Sequence, residues 1–314
     1  MDFGGSCCSG AGAVGGCGSL VLGTVQLGMR YGVANVSGQP DADAADAIVA
    51  AVWECGVRFF DTAQAYGASE EVLGRALAFL GGGSQARVVT KLNPGCNYAD
   101  ERAVLGNLEI SARRIQVGRL WGLLLHREED LDRWQGSISK TFKAAKGAGL
   151  VERVGVSVYS PERALQALEN EEIDIIQVPS NVFDRRMARA GFFERAGALG
   201  KVAFVRSVYL QGLALLPPGA PMRGIPRAAQ AVEALHRFCA ERGIAVRQFA
   251  VDHVRAVAPQ AKVIIGAETV DQARDNCGLF SRASDRGDLH QAWAEAWPQD
   301  FPELIDPRRW PSRG

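Results

Sequence analysis

The feature that most constrains the fold is an eightfold alternation of short apolar runs with longer amphipathic segments. The apolar runs lack a polar face, as expected of strands buried in a parallel sheet. They cover residues 20–26, 57–60, 87–92, 119–126, 153–159, 174–178, 202–208 and 262–266. Segments with helical periodicity follow each run, at residues 41–56, 69–80, 98–116, 130–148, 161–170, 191–199, 228–242, 246–257 and 269–280. Eight such β–α units predict an α/β fold, a closed parallel eight-stranded (β/α)8 TIM barrel.

The division of the chain into regions follows from the same pattern. No linker or shift in composition interrupts residues 20–314, so we expect one barrel domain there. Residues 1–19 are rich in Gly, Ser and Cys and predict a flexible tail. The segment after Phe280 carries aromatic residues that need a surface to pack on, and we expect this C-terminal tail to lie over the barrel. These aromatics are Trp293, Trp297, Phe301 and Trp310.

Composition excludes several classes of function. Lysine plus arginine and aspartate plus glutamate each total 35, so no basic field is available for nucleic acid or an anionic membrane surface. No apolar run reaches the roughly 18 residues of a membrane helix. Seven cysteines without a secretion signal predict reduced thiols in the cytoplasm. Cys7, Cys8 and Cys17 lack a second pair with metal-ligand spacing, so we predict no metal site. The oligomeric state stays open.

Candidate functional residues stand where the predicted strands end. In barrels of this kind the chemistry lies at the carboxyl ends of the strands. The residues at those ends are Gln26, Asp61 with Tyr66 in the following loop, Lys91, His126, Ser157, Gln177, Arg206 with Ser207, and Gly266. In the loop after Asp61, Ser69 is a predicted N-cap for the next helix.

Four of these residues are titratable and come from three successive β–α units. If they converge, the Lys91 ammonium is expected to lower the pKa of the Tyr66 phenol, and Asp61 to keep Lys91 charged and oriented. A neutral His126 could hydrogen-bond a carbonyl oxygen beside the phenol. Tyr66 would then be a general acid for a carbonyl, or a base for an alcohol, as hydride transfer from a nicotinamide requires. Taken alone, Asp61 and Tyr66 could equally be turn and packing residues.

From residue 22 to residue 276 the chain resembles the aldo-keto reductase superfamily, in particular its bacterial-type members. The family's Asp/Tyr motif is similar to residues 60–67, which read FDTAQAYG, and its Lys and His strands are similar to VVTK at 88–91 and LLLH at 123–126. The resemblance implies a catalytic tetrad of Asp61, Tyr66, Lys91 and His126. It also implies an NAD(P)H-dependent reductase of aldehydes or ketones that holds an extended cofactor without a Rossmann domain.

The resemblance also implies a set of cofactor-binding residues. Ser157 and Gln177 match positions that hold the nicotinamide carboxamide, but Val158 replaces the family's Asn. Arg206 stands where a residue, often Tyr, stacks on the nicotinamide. The remaining implied contacts are Gly23, Thr24, Ser207, Leu210, Gln211, Gly212, Gly266, Gln272 and Asn276. Gly266 and Gln272 replace the Lys and Arg that hold the 2′-phosphate in many relatives, so NADPH is the family's usual cofactor and NADH is an alternative.

The substrate is predicted to be a small polar, sugar-like carbonyl compound or alcohol. The loop after the first strand carries Arg30 and Tyr31, which either bind an anionic or sugar-like group or belong to a solvated loop. A short loop after His126, before a helix from residue 130, would leave the pocket open on that side. Two alternatives remain: a cofactor-binding regulatory subunit with little turnover, and a lyase or isomerase that uses Lys91 as a Schiff-base amine.

Overall fold

The computed structural model describes residues 17–222, 224–282 and 287–311. Eight parallel strands form a closed barrel in the order β1 to β8, with β8 pairing with β1. The strands are β1 Leu20–Gly23, β2 Phe59–Asp61, β3 Arg87–Lys91, β4 Leu120–Leu125, β5 Val151–Ser157, β6 Ile175–Pro179, β7 Val202–Arg206 and β8 Lys262–Gly266. The (β/α)8 barrel predicted from the sequence is therefore confirmed.

Helices follow the strands around the outside. They are α1 Val25–Gly28, α2 Ala42–Glu54, α3 Ser69–Phe79, α4 Glu101–Ile115, α5 Ser139–Gly147, α6 Pro161–Leu168, α7 Arg186–Arg189, α8 Phe192–Ala198, α9 Ala228–Glu241, α10 Val246–Val257, α11 Val270–Ser281, α12 Gly287–Ala296 and α13 Pro302–Ile305. No described helix is long and apolar enough to cross a lipid bilayer.

Side chains fill the barrel in two separate apolar clusters. The larger one lies between the strands and the surrounding helices. The smaller one plugs the inside of the barrel, and its members are Val21, Phe59, Val89, Leu124, Ile175 and Phe204. Strands β5 and β6 approach each other closely at Gly155, where a Cβ atom would lie 1.9 Å from the carbonyl oxygen of Ile175. This packed interior confines any cavity to the two ends of the barrel.

Several predicted elements differ from the observed ones by a few residues at an end, and two differences change the surroundings of residues singled out in the sequence. Strand β1 ends at Gly23, and Gln26 lies in the short helix α1 rather than at a strand end. The helix predicted for residues 130–148 begins only at Ser139. It is preceded by a 3-10 segment, Glu128–Arg133, and by one wide turn, Trp134–Ile138. Gly136 has a φ of 101° and Gln135 a ψ of 133°, so a helix cannot run through this point.

The C-terminal segment packs on the barrel, as predicted. Trp293 is fully buried and donates a hydrogen bond from its indole to the carbonyl of Val182, in the loop after β6, at 2.6 Å. Its ring also contacts Phe238 of α9 and Phe249 of α10. At the other end of the chain Cys17 is buried and contacts the carbonyl oxygen of Cys277 in α11, while residues 1–16 of the predicted tail lie outside the described residues.

The described cysteines are all free thiols. Cys239 of α9 and Cys277 of α11 are buried, whereas Cys55 is exposed because it caps the end of α2. Cys7 and Cys8 lie outside the described residues. Among the described residues, no group of three or more His, Cys, Asp or Glu side chains is placed to hold a metal ion.

Candidate active site

The candidate site is a cavity of about 320 Å³ at the carboxyl ends of the strands. Loops after β1, β5, β7 and β8 form its walls. Most of the residues singled out in the sequence line it: Gly23, Thr24, Gln26, Tyr31, Asp61, Tyr66, Lys91, His126, Ser157, Gln177, Arg206, Ser207, Gln211, Gly212, Gly266 and Gln272. Arg30 is exposed, Leu210 and Asn276 are buried, and these three are not part of the cavity wall.

A buried ion pair lies at the base of the cavity. The Lys91 ammonium is 1% exposed and donates to both carboxylate oxygens of Asp61, at 2.7 and 2.9 Å, and to the carbonyl of Thr62 at 3.0 Å. Burial lowers the pKa of Lys91, and the Asp61 carboxylate opposes this shift. Because an isolated charge at this depth would be strongly destabilised, the two residues depend on one another.

The pair continues into a hydrogen-bonded chain along the ends of the next strands. Gln177 donates from its amide nitrogen to Asp61 at 2.7 Å, and its amide oxygen accepts from the Ser157 hydroxyl at 3.2 Å. The two residues are paired in register between β5 and β6. The positions singled out for a carboxamide are thus directly connected to the Asp61–Lys91 pair.

Tyr66 and His126 face each other above this pair. Their rings meet edge to face with centroids 5.9 Å apart, and the Lys91 nitrogen lies 5.2 Å from the Tyr66 ring centroid. Burial raises the pKa of the Tyr66 phenol above its ordinary value, and the Asp61 carboxylate raises it further. The expectation that Lys91 lowers this pKa is therefore wrong for this state of the protein. The lysine charge is neutralised by two carboxylate oxygens, and the cation that acts to lower the Tyr66 pKa is Arg206.

His126 is neutral at physiological pH. Burial, followed by the Lys91 charge, lowers its pKa to about 4. Its Nδ1 atom is buried without a hydrogen-bond partner among the described residues. A neutral imidazole beside a phenol can donate to, or accept from, a ligand oxygen in the cavity.

The Tyr66 loop is held by close backbone contacts with the loop after β1. A Cβ atom at Gly28 would lie 1.8 Å from the carbonyl oxygen of Tyr66, and Gly67 has a φ of +58° that favours glycine. Ser69 was predicted as an N-cap, but Ala68 occupies that position. The buried Ser69 hydroxyl instead donates to the carbonyl of Thr24 at 2.9 Å, which ties the start of α3 to the end of β1.

Arg206 has a partner that the sequence did not reveal. Its guanidinium stacks on the ring of Tyr159 at 4.0 Å and donates to the carbonyl of Val158 at 3.1 Å. Arg308 of the C-terminal tail stacks on the same ring at 3.7 Å and donates to Glu128 at 2.9 Å. The tail therefore reaches the segment after His126, where two irregular turns stand in place of the predicted short loop and the next helix begins only at Ser139. Because Tyr159 contacts Arg206, a ring in the cavity could stack only on the other face of this guanidinium.

The loop after β7 has an unusual backbone. Ser207, Leu210 and Gln211 have positive φ values, as does Gly212, which begins the next short turn. Left-handed conformations at non-glycine residues are uncommon and occur often at functional sites. The carbonyl of Gln211 accepts from the backbone nitrogen of Val33 at 2.8 Å, which links this loop to the loop after β1.

The far end of the cavity is formed by the start of α11 and by α10. A Cβ atom at Gly266 would lie 2.2 Å from Oε1 of Gln26, and the side chain of Gln272 accepts from the backbone nitrogen of Glu268 at 2.8 Å. Burial raises the pKa of the Glu268 carboxyl. Buried Asn276 lies just behind the wall and accepts from Arg247, which lines the cavity.

Several lining residues were not predicted: Tyr159, Tyr209, Arg247 and Glu268. Tyr159 follows the β5 motif by two positions and Glu268 follows Gly266 by two, so extending each strand-end motif by two residues would have found them. Arg247 lies on α10, away from any strand end, and no sequence signal identifies it.

A closed (β/α)8 barrel with a buried Lys–Asp pair beside a tyrosine and a neutral histidine defines the class of protein. The Aldo/keto reductase family model matches residues 19–292. The chain belongs to the aldo/keto reductase family.

Comparisons with individual proteins agree with this assignment. The aldo-keto reductase YhdN of Bacillus subtilis is 27% identical over 147 residues, a match that covers 44% of this chain and 44% of that protein. The chain therefore aligns with under half the length of this curated relative. Among solved structures, the glycerol dehydrogenase AKR11B4 of Gluconobacter oxydans has a TM-score of 0.70 at 24% identity and covers 92% of this chain and 94% of its own. The holo form of the aldo-keto reductase AKR11C1 of Bacillus halodurans has a TM-score of 0.72 at 19% identity and covers 92% and 95%.

Proposed function

We propose that this protein interconverts a carbonyl and an alcohol with NAD(P)H as hydride donor, and that Tyr66 moves the proton. The observation that carries the proposal is the convergence of Tyr66, His126 and the buried Asp61–Lys91 pair in one cavity. The bound cofactor supplies the hydride. Side chains of this protein transfer the proton and orient the substrate.

A tyrosine phenol carries its proton at neutral pH even at its ordinary pKa near 10, so Tyr66 can act as the general acid. As a substrate oxygen gains negative charge, the phenol donates its proton to that oxygen. The phenolate left behind is stabilised by the Arg206 guanidinium, whose charge acts to lower the Tyr66 pKa, while Lys91 stays paired with Asp61. Neutral His126 orients the same oxygen by a hydrogen bond. In alcohol oxidation the same groups act in reverse.

The polar groups of the cavity suit a nicotinamide. Ser157 and Gln177 offer a hydroxyl and an amide at neighbouring strand ends, which complement a carboxamide that both donates and accepts. Arg206 presents a flat guanidinium for the ring. The loop formed by Ser207, Gln211 and Gly212 would hold the pyrophosphate. Asn276 would act at the adenosine end through its contact with Arg247.

The preference between NADH and NADPH depends on the residues at this adenosine end. The family's usual cofactor is NADPH, but Gly266 offers no side chain and Gln272 is already engaged by the backbone of Glu268. A Glu268 carboxylate would repel a 2′-phosphate and accept a hydrogen bond from a ribose hydroxyl. We therefore propose that NADH binds at least as tightly as NADPH.

The substrate is proposed to be a small polar aldehyde, ketone or alcohol. Polar side chains, including Tyr31 and His126, line the same cavity as Tyr66. Such a wall favours hydroxylated, sugar-like compounds over steroids or long aliphatic aldehydes. We also propose that residues 20–314 act as one domain in a reducing, cytoplasmic environment.

The proposed function is tested by titrating the protein with NADH and NADPH while following its tryptophan fluorescence. We expect saturable quenching, followed by oxidation of bound NADH when a polar aldehyde such as glyceraldehyde is added. Absence of binding by either nucleotide would contradict the proposal. Tight binding with no turnover of any carbonyl compound would favour a regulatory subunit instead.

A Schiff-base lyase is disfavoured by the Lys91 contacts. Its ammonium donates to both Asp61 oxygens and to the Thr62 carbonyl, so its three hydrogens are engaged and the amine is not free to attack a carbonyl. Borohydride treatment with a carbonyl substrate should leave Lys91 unmodified in a peptide mass map. A stable adduct on Lys91 would support the lyase.

A further inference from the structure

A second cavity lies at the opposite end of the barrel, where the strands begin. Its volume is about 1080 Å³, larger than that of the candidate active site, and it contains none of the Tyr66, His126, Asp61 or Lys91 side chains. The function proposed above does not use it.

The wall of this cavity is strongly basic. Arg58, Arg87, Arg119 and Lys262 line it, and Glu152 is the one acidic residue among the lining residues. The four cations stand just before or at the first residue of β2, β3, β4 and β8. Because β8, β1, β2, β3 and β4 are neighbours in the barrel, the cations lie along one arc, in which β1 alone contributes no lining cation among the described residues. The chain as a whole has no net charge, so this arc is a local concentration of positive charge.

Three of the cations are not neutralised by acids. The Arg87 guanidinium and the Lys262 ammonium both lie over the Phe59 ring, at 5.2 and 4.3 Å from its centroid. In the described part of the chain, no carboxylate forms an ion pair with Arg58, Arg87 or Lys262. Within the described residues, Arg58 donates to the carbonyls of Trp53 and Val57, and Lys262 donates to that of Gly18. Burial, and then the Arg87 charge, lower the pKa of Lys262.

Glu152 compensates the remaining cation. It accepts from Arg119 at 3.1 Å and also pairs with Arg153, whose guanidinium stacks on Trp121 at 4.6 Å. Trp121 is half-buried and lines the cavity, which adds a flat aromatic surface to the basic wall.

We propose that this amino-terminal mouth of the barrel is a binding site for a multivalent phosphate anion, either free or as part of a nucleotide. Like charges held close together around a cavity are relieved by a ligand of opposite charge. Arginine is suited to bidentate contacts with phosphate oxygens, and an indole can stack on a nucleobase. The site is separate from the cofactor cavity, so both ligands can be bound at once.

The test is isothermal titration calorimetry with inorganic pyrophosphate and, separately, with ADP, at constant ionic strength and with saturating NADH. We expect saturable binding of pyrophosphate. ADP binding tighter than pyrophosphate, with quenching of Trp121 that is lost in Trp121→Phe, would identify the nucleotide form. Equal affinities for ADP and pyrophosphate would show that the site recognises the phosphate groups and not the nucleoside. If NADH does not bind, the same titration is done without it, so the two proposals fail independently.

Charge variants make the test specific. Removal of one phosphate-binding cation, in Arg87→Gln or Lys262→Gln, is expected to weaken binding about tenfold. Glu152→Gln removes the acid found among the described lining residues and should strengthen binding, a result that misfolding cannot imitate. Arg237→Gln, at an exposed position of α9, is the matched control and should leave affinity unchanged. No binding of either probe, or equal binding by the Arg87, Lys262 and Glu152 variants, would overturn the proposal.

Discussion

At the residue scale, the identities of the candidate active-site groups and the neutral state of His126 could be predicted, but the direction of the Tyr66 pKa shift could not. Asp61, Tyr66, Lys91 and His126 were found from their places at strand ends and in one loop. The direction of the Tyr66 pKa shift depends on burial and on the nearby charges of Asp61 and Arg206. Both depend on how loops from distant parts of the chain pack together, so a motif in the sequence does not specify them.

Buried histidines should make the protein sensitive to acid. His253 is 1% exposed, and burial, followed by the Arg185 charge, lowers its pKa to about 3. The unfolded chain, with an ordinary pKa near 6.5, binds a proton that the folded protein does not, so stability falls as pH drops from about 6.5 toward 3.

The prediction is checked by urea unfolding between pH 7.5 and pH 5. His253→Gln is expected to reduce the pH slope of the unfolding free energy by up to about 1.4 kcal/mol per pH unit below pH 6. A slope equal to that of the wild type would show that His253 is not the group responsible.

Glu268 should determine the preference for NADH over NADPH. Reversing its charge in Glu268→Arg is expected to improve NADPH affinity relative to NADH by about tenfold, since a guanidinium pairs with a 2′-phosphate that a carboxylate repels. The ratio of the two dissociation constants measures this. Glu233→Arg, on the exposed face of α9, is the control. If Glu268→Arg leaves the ratio of the two dissociation constants unchanged, the 2′ position of the adenosine ribose does not lie near Glu268.

At the element scale, the order and type of the strands could be predicted because apolar runs and helical periodicity are local properties. The failures have local causes as well. The helix expected from residue 130 is interrupted at Gln135 and Gly136, whose backbone angles are not helical. Strand β1 ends three residues before Gln26 because Thr24, with a φ of −105° and a ψ of 6°, leaves the extended conformation and precedes the short helix α1.

The free energy of unfolding should depend strongly on Trp293 of helix α12. This side chain is fully buried between Phe183, Phe238 and Phe249. Trp293→Ala is expected to lower the free energy of unfolding by roughly 3–5 kcal/mol through the cavity it leaves. Phe79→Ala, at a position 87% exposed, should change it by less than about 0.5 kcal/mol. Urea unfolding compares the two, and similar losses would mean that the C-terminal segment does not contribute to the core.

At the scale of the whole molecule, the closed barrel could be predicted from the eight repeated units in the sequence. Contacts between segments that are distant in the sequence could not be predicted in this way. The stack of Arg308, Tyr159 and Arg206 joins the C-terminal tail to the loop after β5 and the end of β7. Each residue is unremarkable in its own stretch of sequence. Only the closed barrel brings them together beside the cavity.

The central claim is that Tyr66 transfers the proton in a nicotinamide-dependent reaction. It is tested most directly by the single-turnover oxidation of bound NADH by glyceraldehyde, comparing the wild type with Tyr66→Phe. The loss of a general acid is expected to slow this step by about 10²–10⁴-fold. Affinity for NADH should stay within about twofold, since the phenol is not among the groups proposed to hold the nucleotide. Turnover at the wild-type rate in Tyr66→Phe would contradict the account.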